Sequence, residues 1–188
     1  MDMERDGLRL IPAHPALAEA LAGFYRRNRE AFQYIDPVRA GGFFTPEHQR
    51  AALARELRDW QEGQSRRFYL ERTEAPGRIV GLIGLNNIIW GAFRSAFLGY
   101  KLDAQCWGRG WMTQAVGLVT RFAFQELGLH RIEGNVMPRN KASIRVLEKN
   151  GYRPEGMARS YLEINGVWED HIHMVKLAED QDENEEGD

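Results

Sequence analysis

Two glycines flank an arginine at Gly108-Arg109-Gly110, inside the stretch QCWGRGWMTQA (105–115), and the chain continues as AVGLVTRFAFQELG with the texture of an amphipathic helix. A helix N-terminus leaves its first backbone N–H groups unpaired and carries partial positive charge. Glycines let such a backbone approach an anion closely and aim successive N–H groups at one point. Phosphate or pyrophosphate binding is the chemistry this spacing supports, with an ordinary tight turn as the alternative. Two other phosphate motifs do not fit. No Lys-Ser/Thr pair follows the glycines, as GxxxxGK[ST] requires, and Thr113 stands where GxGxxG needs its third glycine.

Other reactive side chains are sparse. Glu133 and Asn135 lie two apart in RIEGNVMP (131–138), so as strand residues they share a face. His171 and His173 share a face in the same way and could begin a metal site, but no third ligand has convincing spacing and no metal is expected. Cys106 is the only cysteine, which excludes an internal disulfide framework and a Cys-based zinc site. Its place at the loop suggests a thiol whose pKa a helix N-terminus would lower. Phe32, Tyr34 and Asp36, after the first helix, are candidates for a substrate wall or for a helix-packing connection.

The elements that must position these residues follow from periodicity and punctuation. GLRLIP (7–12) reads as a strand, and 15–32 as a helix with Leu17, Leu21, Phe24 and Tyr25 at helical spacing. Thr45 caps a second helix, with Pro46 at its first position, running through Trp60. RRFYLERT (66–73) and RIVGLIGLNNII (78–89) form a hairpin about Ala75-Pro76-Gly77. A strand over 94–103, the glycine loop with a helix over 109–127, and the strand 131–138 make a strand–helix–strand unit, whose strands should pair in parallel. Asn140 caps a short helix over 140–151, and Asn165-Gly166 turns a C-terminal hairpin. The order β-αα-βββ-α-β-α-ββ predicts an α+β or mixed α/β fold, with about seven strands and four helices.

Bulk properties set the frame. The 188 residues are 43% hydrophobic and 28% charged, which suits one globular domain over 1–178. Net charge is −2, of which the seven acids of the last ten residues, EDQDENEEGD, contribute −7, so residues 1–178 carry +5. That run, 179–188, reads as a disordered acidic tail. No apolar run approaches the roughly 20 residues of a membrane span, and no secretory signal is read, so a cytoplasmic protein without a membrane partner is expected. A mildly basic body suits a multiply phosphorylated ligand, and no nucleic-acid motif is recognised.

Gln105-x-x-Gly108-x-Gly110 between a strand and an amphipathic helix, followed by a strand and NKASIRVLEKNGY (140–152), resembles the GNAT superfamily of acyl-CoA-dependent N-acetyltransferases. EGMARSYLEINGVWEDHIHMVKL (155–177) and NREAF with the later Asp-Pro (28–37) are similar to its RimJ/RimL branch, which includes acetyltransferases of ribosomal-protein N-termini. The resemblance covers about residues 7–178. It implies a mostly antiparallel mixed sheet that splays between the strands 94–103 and 131–138 to admit acetyl-CoA. The pantetheine arm would pair with the edge of Leu98, Gly99, Tyr100, Lys101 and Leu102. The pyrophosphate would sit on the N–H groups of Gly108, Arg109, Gly110, Met112 and Thr113. Trp107 is counted with this cofactor set, although its ring and that of Trp111 read as packing groups.

The implied chemistry is direct attack of an amine on a thioester through a tetrahedral oxyanion. A backbone N–H near Leu98–Tyr100 is the implied oxyanion donor. Ser143, at the Ser of the Asn–x–x–Ser segment, would protonate or hydrogen-bond the departing sulfur, and Asn140 would cap its helix and orient the cofactor arm. Glu133 would accept a proton directly or through water, and Asn135 would touch the acceptor. Some N-terminal acetyltransferases carry glutamate at the place of Asn135 and a tyrosine acid at Leu147; many RimJ/RimL-type chains carry glutamate at Gln114. The two former departures weaken the claim of a dedicated base and argue against a tyrosine acid. An α-amine, with pKa of roughly 7.7–8.0, is about a tenth neutral at pH 7, whereas lysine is under roughly 0.1% neutral. A protein N-terminus is therefore the favoured acceptor, with a small amine (polyamine, amino acid or antibiotic) as the alternative. A non-catalytic acyl-CoA sensor is the alternative from another class.

Overall fold

Alternation along the strands decides which face each helix covers. In the computed structural model, which describes residues 3–33 and 39–180, β2 (Leu8–Pro12) and β3 (Arg66–Arg72) point Leu8, Leu10, Phe68 and Leu70 to one face and Tyr69 to the other. α4 (Trp111–Gln125) and α5 (Lys141–Glu148) cover the first face, burying Val116, Val119 and Leu147. The second is covered by α1 (Ala18–Arg27), α2 (Arg29–Phe32) and α3 (Pro46–Gln61), which bury Leu21, Phe24, Phe32 and Leu53 against Tyr69, Ile79 and Leu82. Thr45 caps α3 through its hydroxyl, with Pro46 at the first helical position.

The two-residue β1 (Glu4–Arg5), β4 (Ala75–Ile89), β5 (Ser95–Leu102), β6 (Arg131–Val136), β7 (Arg153–Ile164) and β8 (Val167–Leu177) complete one open eight-stranded sheet. Its order is β1-β2-β3-β4-β5-β6-β8-β7. Among the described residues, only β5 and β6, joined by the α4 crossover, pair in parallel. The mixed α/β class expected from the sequence is found, and the β5–α4–β6 unit is parallel as its connection demands. Three details differ. The β3–β4 reversal falls at Thr73-Glu74, because Ala75 already pairs with Arg72 and bulges absorb the offset. β7 begins at Arg153, some eight residues before YLEI, as an exposed edge strand without apolar alternation. The first helix breaks at Asn28, whose buried side chain donates to the Phe24 carbonyl and accepts from the Ala104 N–H at 2.9 Å.

That break serves the site. Arg27, the last residue of α1, donates Nε to the buried Asp103 carboxylate at 2.5 Å and also reaches the Ile79 carbonyl. Asp103 in turn accepts from the Gln105 N–H. Together Arg27 and Asn28 clamp the loop that follows β5. On the other side, Asn150 bonds the carbonyls of Thr113 and Val146, tying the start of α4 to α5. Gly134 lets α5 lie close on β6, since a Cβ there would meet the Leu147 methyl at 3.1 Å.

Among the described residues, no helix is long and apolar enough to cross a membrane. Residues 181–188 of the expected tail, and Tyr34 and Asp36, lie outside the described residues.

Candidate active site

β5 and β6 share only three register pairs, Ser95 with Arg131, Ala96 with Ile132 and Phe97 with Glu133. β5 then runs on to Leu102, held by β4 through the pairs Leu98–Leu85 to Leu102–Gly81, while β6 runs to Val136 against β8. The strands therefore fork at Phe97 and Glu133. An extended chain entering this fork can pair with the edge of 98–102, as a peptide adds to a sheet.

The glycine loop closes the far end of that fork. Gly108 and Gly110 hold φ of +75° and +77°, the left-handed region that disfavours a side chain. Gly110 precedes α4 and has no side chain to cap it, so the first-turn N–H groups face outward. No atom lies within 4 Å of where a Cβ would stand at either glycine. Positive charge surrounds the opening: the Arg72 and Arg109 guanidinium groups lie 4.6 and 5.5 Å from the Trp111 ring centroid, and Arg78 binds the Gln105 side chain at 3.1 Å. These features suit a pyrophosphate, whose oxygens need several donors at one point.

The two tryptophans behave differently. Trp111 is half-buried between the arginines, whereas Trp107 is 57% exposed, so its ring is not a packing group. Its indole N–H donates to the Leu102 carbonyl at 3.0 Å, pinning the loop to the end of β5. Cys106 is buried, and burial, then the nearby Asp103 carboxylate, pushes its thiol pKa up. The lowering that a helix N-terminus would give is outweighed. Gln114 donates to Asp6 at 3.2 Å and leaves its buried Oε1 without a partner among the described residues.

On the α4/α5 side of the fork, Ser143 Oγ lies 2.7 Å from the Tyr100 hydroxyl, which also donates to the Ser143 carbonyl at 3.2 Å. Asn140 caps α5 by accepting from the Ser143 N–H at 3.1 Å. Burial pushes the Tyr100 phenol up to about 12, and the Ser143 contact only partly offsets it. The phenol thus stays protonated at neutral pH. The sequence marked Tyr100 for its backbone alone; the hydroxyl pair joins residues 43 apart.

The opposite side of the fork carries the second cluster. Glu133 Oε1 accepts from His173 Nδ1 at 2.6 Å, and Oε2 from Arg131 at 3.1 Å, while Arg131 also grips Glu155 with two bonds. Burial would raise the Glu133 carboxyl; the bonds from His173 and Arg131 outweigh it and hold the group below the usual carboxylate range. Asn135, paired across the ladder with His173, donates to the Tyr161 hydroxyl at 3.1 Å and keeps a buried Oδ1 without a partner among the described residues. The Tyr161 ring packs edge-on against His173 at 5.0 Å. Phe32 is buried against Phe24, with the Lys101 ammonium 5.8 Å from its ring centroid. Asn165 of the β7–β8 turn reaches the Gln33 carbonyl at 2.6 Å, bringing that hairpin to the end of α2. Pairing of His171 and His173 was legible as a shared strand face, but their partners were not. His171 Nδ1 turns to the Glu169 carbonyl, whereas His173 takes Glu133.

A forked mixed sheet, with an uncapped glycine loop at one end and hydroxyl and imidazole groups on either side, suits a transferase that takes its group from a long anionic carrier. The model of the acetyltransferase (GNAT) domain matches residues 7–153, and the chain belongs to that family. It is an acetyl-CoA-dependent N-acetyltransferase related to the ribosomal-protein acetyltransferases, and its fold is the GNAT fold. The chain is 42% identical to the Bacillus subtilis protein named Probable N-acetyltransferase YjcK, over 88% of this chain and 91% of that one. It is 31% identical to the solved ribosomal-protein-S5-alanine acetyltransferase of Vibrio fischeri, with a TM-score of 0.90 and coverage of 96% and 98%. It is 27% identical to Mycobacterium smegmatis RimJ, solved with CoA-disulfide, with a TM-score of 0.86 and coverage of 92% and 82%.

Proposed function

We propose that this chain acetylates the α-amine of a protein N-terminus, such as that of a ribosomal protein, in the cytoplasm. The fork that opens at Phe97 and Glu133 in front of the uncapped start of α4 carries the reading. The acceptor class is supported by similarity to the S5-alanine acetyltransferase of Vibrio fischeri over nearly the full length of both chains. Amine acidity points the same way, since an α-amine needs far less help to lose its proton than a lysine.

In this reading acetyl-CoA lays its pyrophosphate on the N–H groups of Gly108, Arg109, Gly110, Met112 and Thr113. Its arm runs along Leu98–Leu102, with Trp107 at the bend and Asn140 orienting the arm. A backbone N–H near Leu98–Tyr100 holds the oxyanion of the tetrahedral intermediate. Ser143 gives its proton to the departing sulfur, and Tyr100 refills it. The acceptor enters from the side of Phe32 and Asn135, beneath the tip of the β7–β8 hairpin.

The test is a comparison of protein N-termini by mass spectrometry in cells with and without the gene. We expect one or a few α-acetyl groups to disappear. An unchanged set of N-terminal acetyl groups, with acetylated polyamines or amino acids lost instead, overturns the protein acceptor in favour of a small amine.

A further inference from the structure

The mechanism above leaves the attacking amine's proton without a receiver. Glu133 is the nearest carboxylate to the vertex of the fork, but both of its oxygens are taken: Oε1 by His173 and Oε2 by Arg131. A carboxylate pinned at both oxygens, and held below its usual pKa by those bonds, is a poor receiver for an ammonium proton. The imidazole it holds is a better one. In its neutral form, a histidine that donates Nδ1–H to a carboxylate presents an unprotonated Nε2 lone pair on its far edge, and the partner at one nitrogen sets which tautomer the ring adopts.

Four observations place that ring for the task. The His173 side chain is 25% exposed while its Glu133 partner is 14% exposed, so the outer edge of the pair meets the cleft. Asn135 faces His173 directly across the β6–β8 ladder, so their side chains stand on one face about 5 Å apart at Cβ. The buried Asn135 Oδ1 has no partner among the described residues, while the amide Nδ2 donates to Tyr161. A buried acceptor left open is costly unless a ligand donor reaches it. The Tyr161 ring, edge-on to His173, fixes the imidazole plane. Around the ring stand Glu133 and Arg131 of β6, Glu155 and Tyr161 of β7, and His171 of β8.

We propose that His173 Nε2 receives the proton of the acceptor amine, with Glu133 as the positioning residue behind it and Asn135 Oδ1 holding an N–H of the same amine. This rests on the N-terminal acetyltransferase reading above. The ammonium gives one proton to Nε2, which passes it to solvent. The freed lone pair forms the C–N bond at the thioester carbon. As the C–S bond breaks, Ser143 gives the sulfur a proton and the nitrogen loses its surplus proton to Nε2. Nε2 then passes this second proton to solvent, and the Tyr100–Ser143 pair, having given one to sulfur, takes one back from solvent, so the products are the amide, free thiol and one net proton.

Two measurements on the full chain test this. Long-range ¹H–¹⁵N NMR of the unliganded protein at neutral pH is expected to show neutral His173 as the Nδ1–H tautomer with a bare Nε2. Glu133→Gln is expected to move it toward Nε2–H, because the glutamine amide can donate to Nδ1. Turnover of acetyl-CoA with a peptide bearing an N-terminal alanine is expected to fall about 100-fold in His173→Gln and His173→Gly. Added imidazole should restore the glycine variant alone, with CoA affinity unchanged in both. An Nε2–H tautomer in the wild-type protein overturns the proposal. So does a His173→Gln variant within twofold of wild-type turnover, or a glycine variant that binds CoA but gains nothing from imidazole. A wild-type protein that ignores the peptide refutes the protein-acceptor reading instead, and the tautomer still decides the role of His173.

Discussion

Gly110→Val is expected to raise the KM for acetyl-CoA by about 30- to 100-fold while leaving turnover at saturation within a few-fold of wild type. Gly110 holds φ +77°, and forcing a side chain into the left-handed region costs roughly 1–2 kcal/mol, with the higher end for a β-branched residue. Nothing in the protein occupies the space where the Cβ would stand, so the valine meets no neighbour to displace. Its methyl groups would instead stand where the pyrophosphate must approach the N–H groups at the start of α4. Losing one charge-assisted hydrogen bond there costs about 1.5–3 kcal/mol. Strain and lost contact act partly on the same geometry and do not add fully, so a combined effect near 2–2.7 kcal/mol matches the stated range. Titration calorimetry with CoA checks it directly. Affinity unchanged within threefold would remove the loop from the cofactor site.

Ser143→Ala is expected to lower kcat about 100-fold, or about 2.7 kcal/mol of barrier, with the acetyl-CoA KM nearly unchanged. Ser143 has two tasks at its backbone and one at its hydroxyl. Its N–H satisfies the Asn140 cap and its carbonyl accepts from Tyr100, and both survive the substitution. Only the 2.7 Å contact between the two hydroxyls is lost. That separation of structural and chemical roles makes alanine a clean probe. Tyr100→Phe, which leaves Ser143 its proton but removes the refilling group, is expected to cost about tenfold. Because burial pushes the Tyr100 phenol up to about 12, neither effect should vary between pH 6 and 9 through titration of that group. A Ser143→Ala enzyme with wild-type kcat would reduce the serine to a helix-cap partner.

Local chemistry carried most of what could be read before the fold was known. Asn165-Gly166 turns the last hairpin because both residues adopt positive φ, 53° and 79°, as a two-residue turn requires. Thr45 and Asn140 cap their helices where their side chains allow it, and the glycine loop precedes α4 as its N-terminal spacing demands. The less legible parts depend on distant partners. Asn28 looked like one more position in a continuous helix, and only the Ala104 N–H across the molecule explains the break. β7 carried no alternation because, as an edge strand, it buries little on either face. The site divides in the same way. Glu133 was visible as a strand carboxylate, but its hold on His173 spans 40 residues and follows from β8 lying next to β6. Burial of Cys106, and then the Asp103 carboxylate, push its thiol pKa up, against the lowering that the helix start alone implies.

The purified protein is incubated with acetyl-CoA and an equimolar pair of peptides. One has a free N-terminal alanine and no lysine; the other has a blocked N-terminus and a single internal lysine. Mass spectrometry then locates the acetyl group. Acetylation of the free α-amine at a rate at least about tenfold above that of the lysine is the predicted result, given the difference in neutral amine at pH 7. Acetylation of the lysine alone, or thioester turnover that leaves both peptides unmodified, would contradict it.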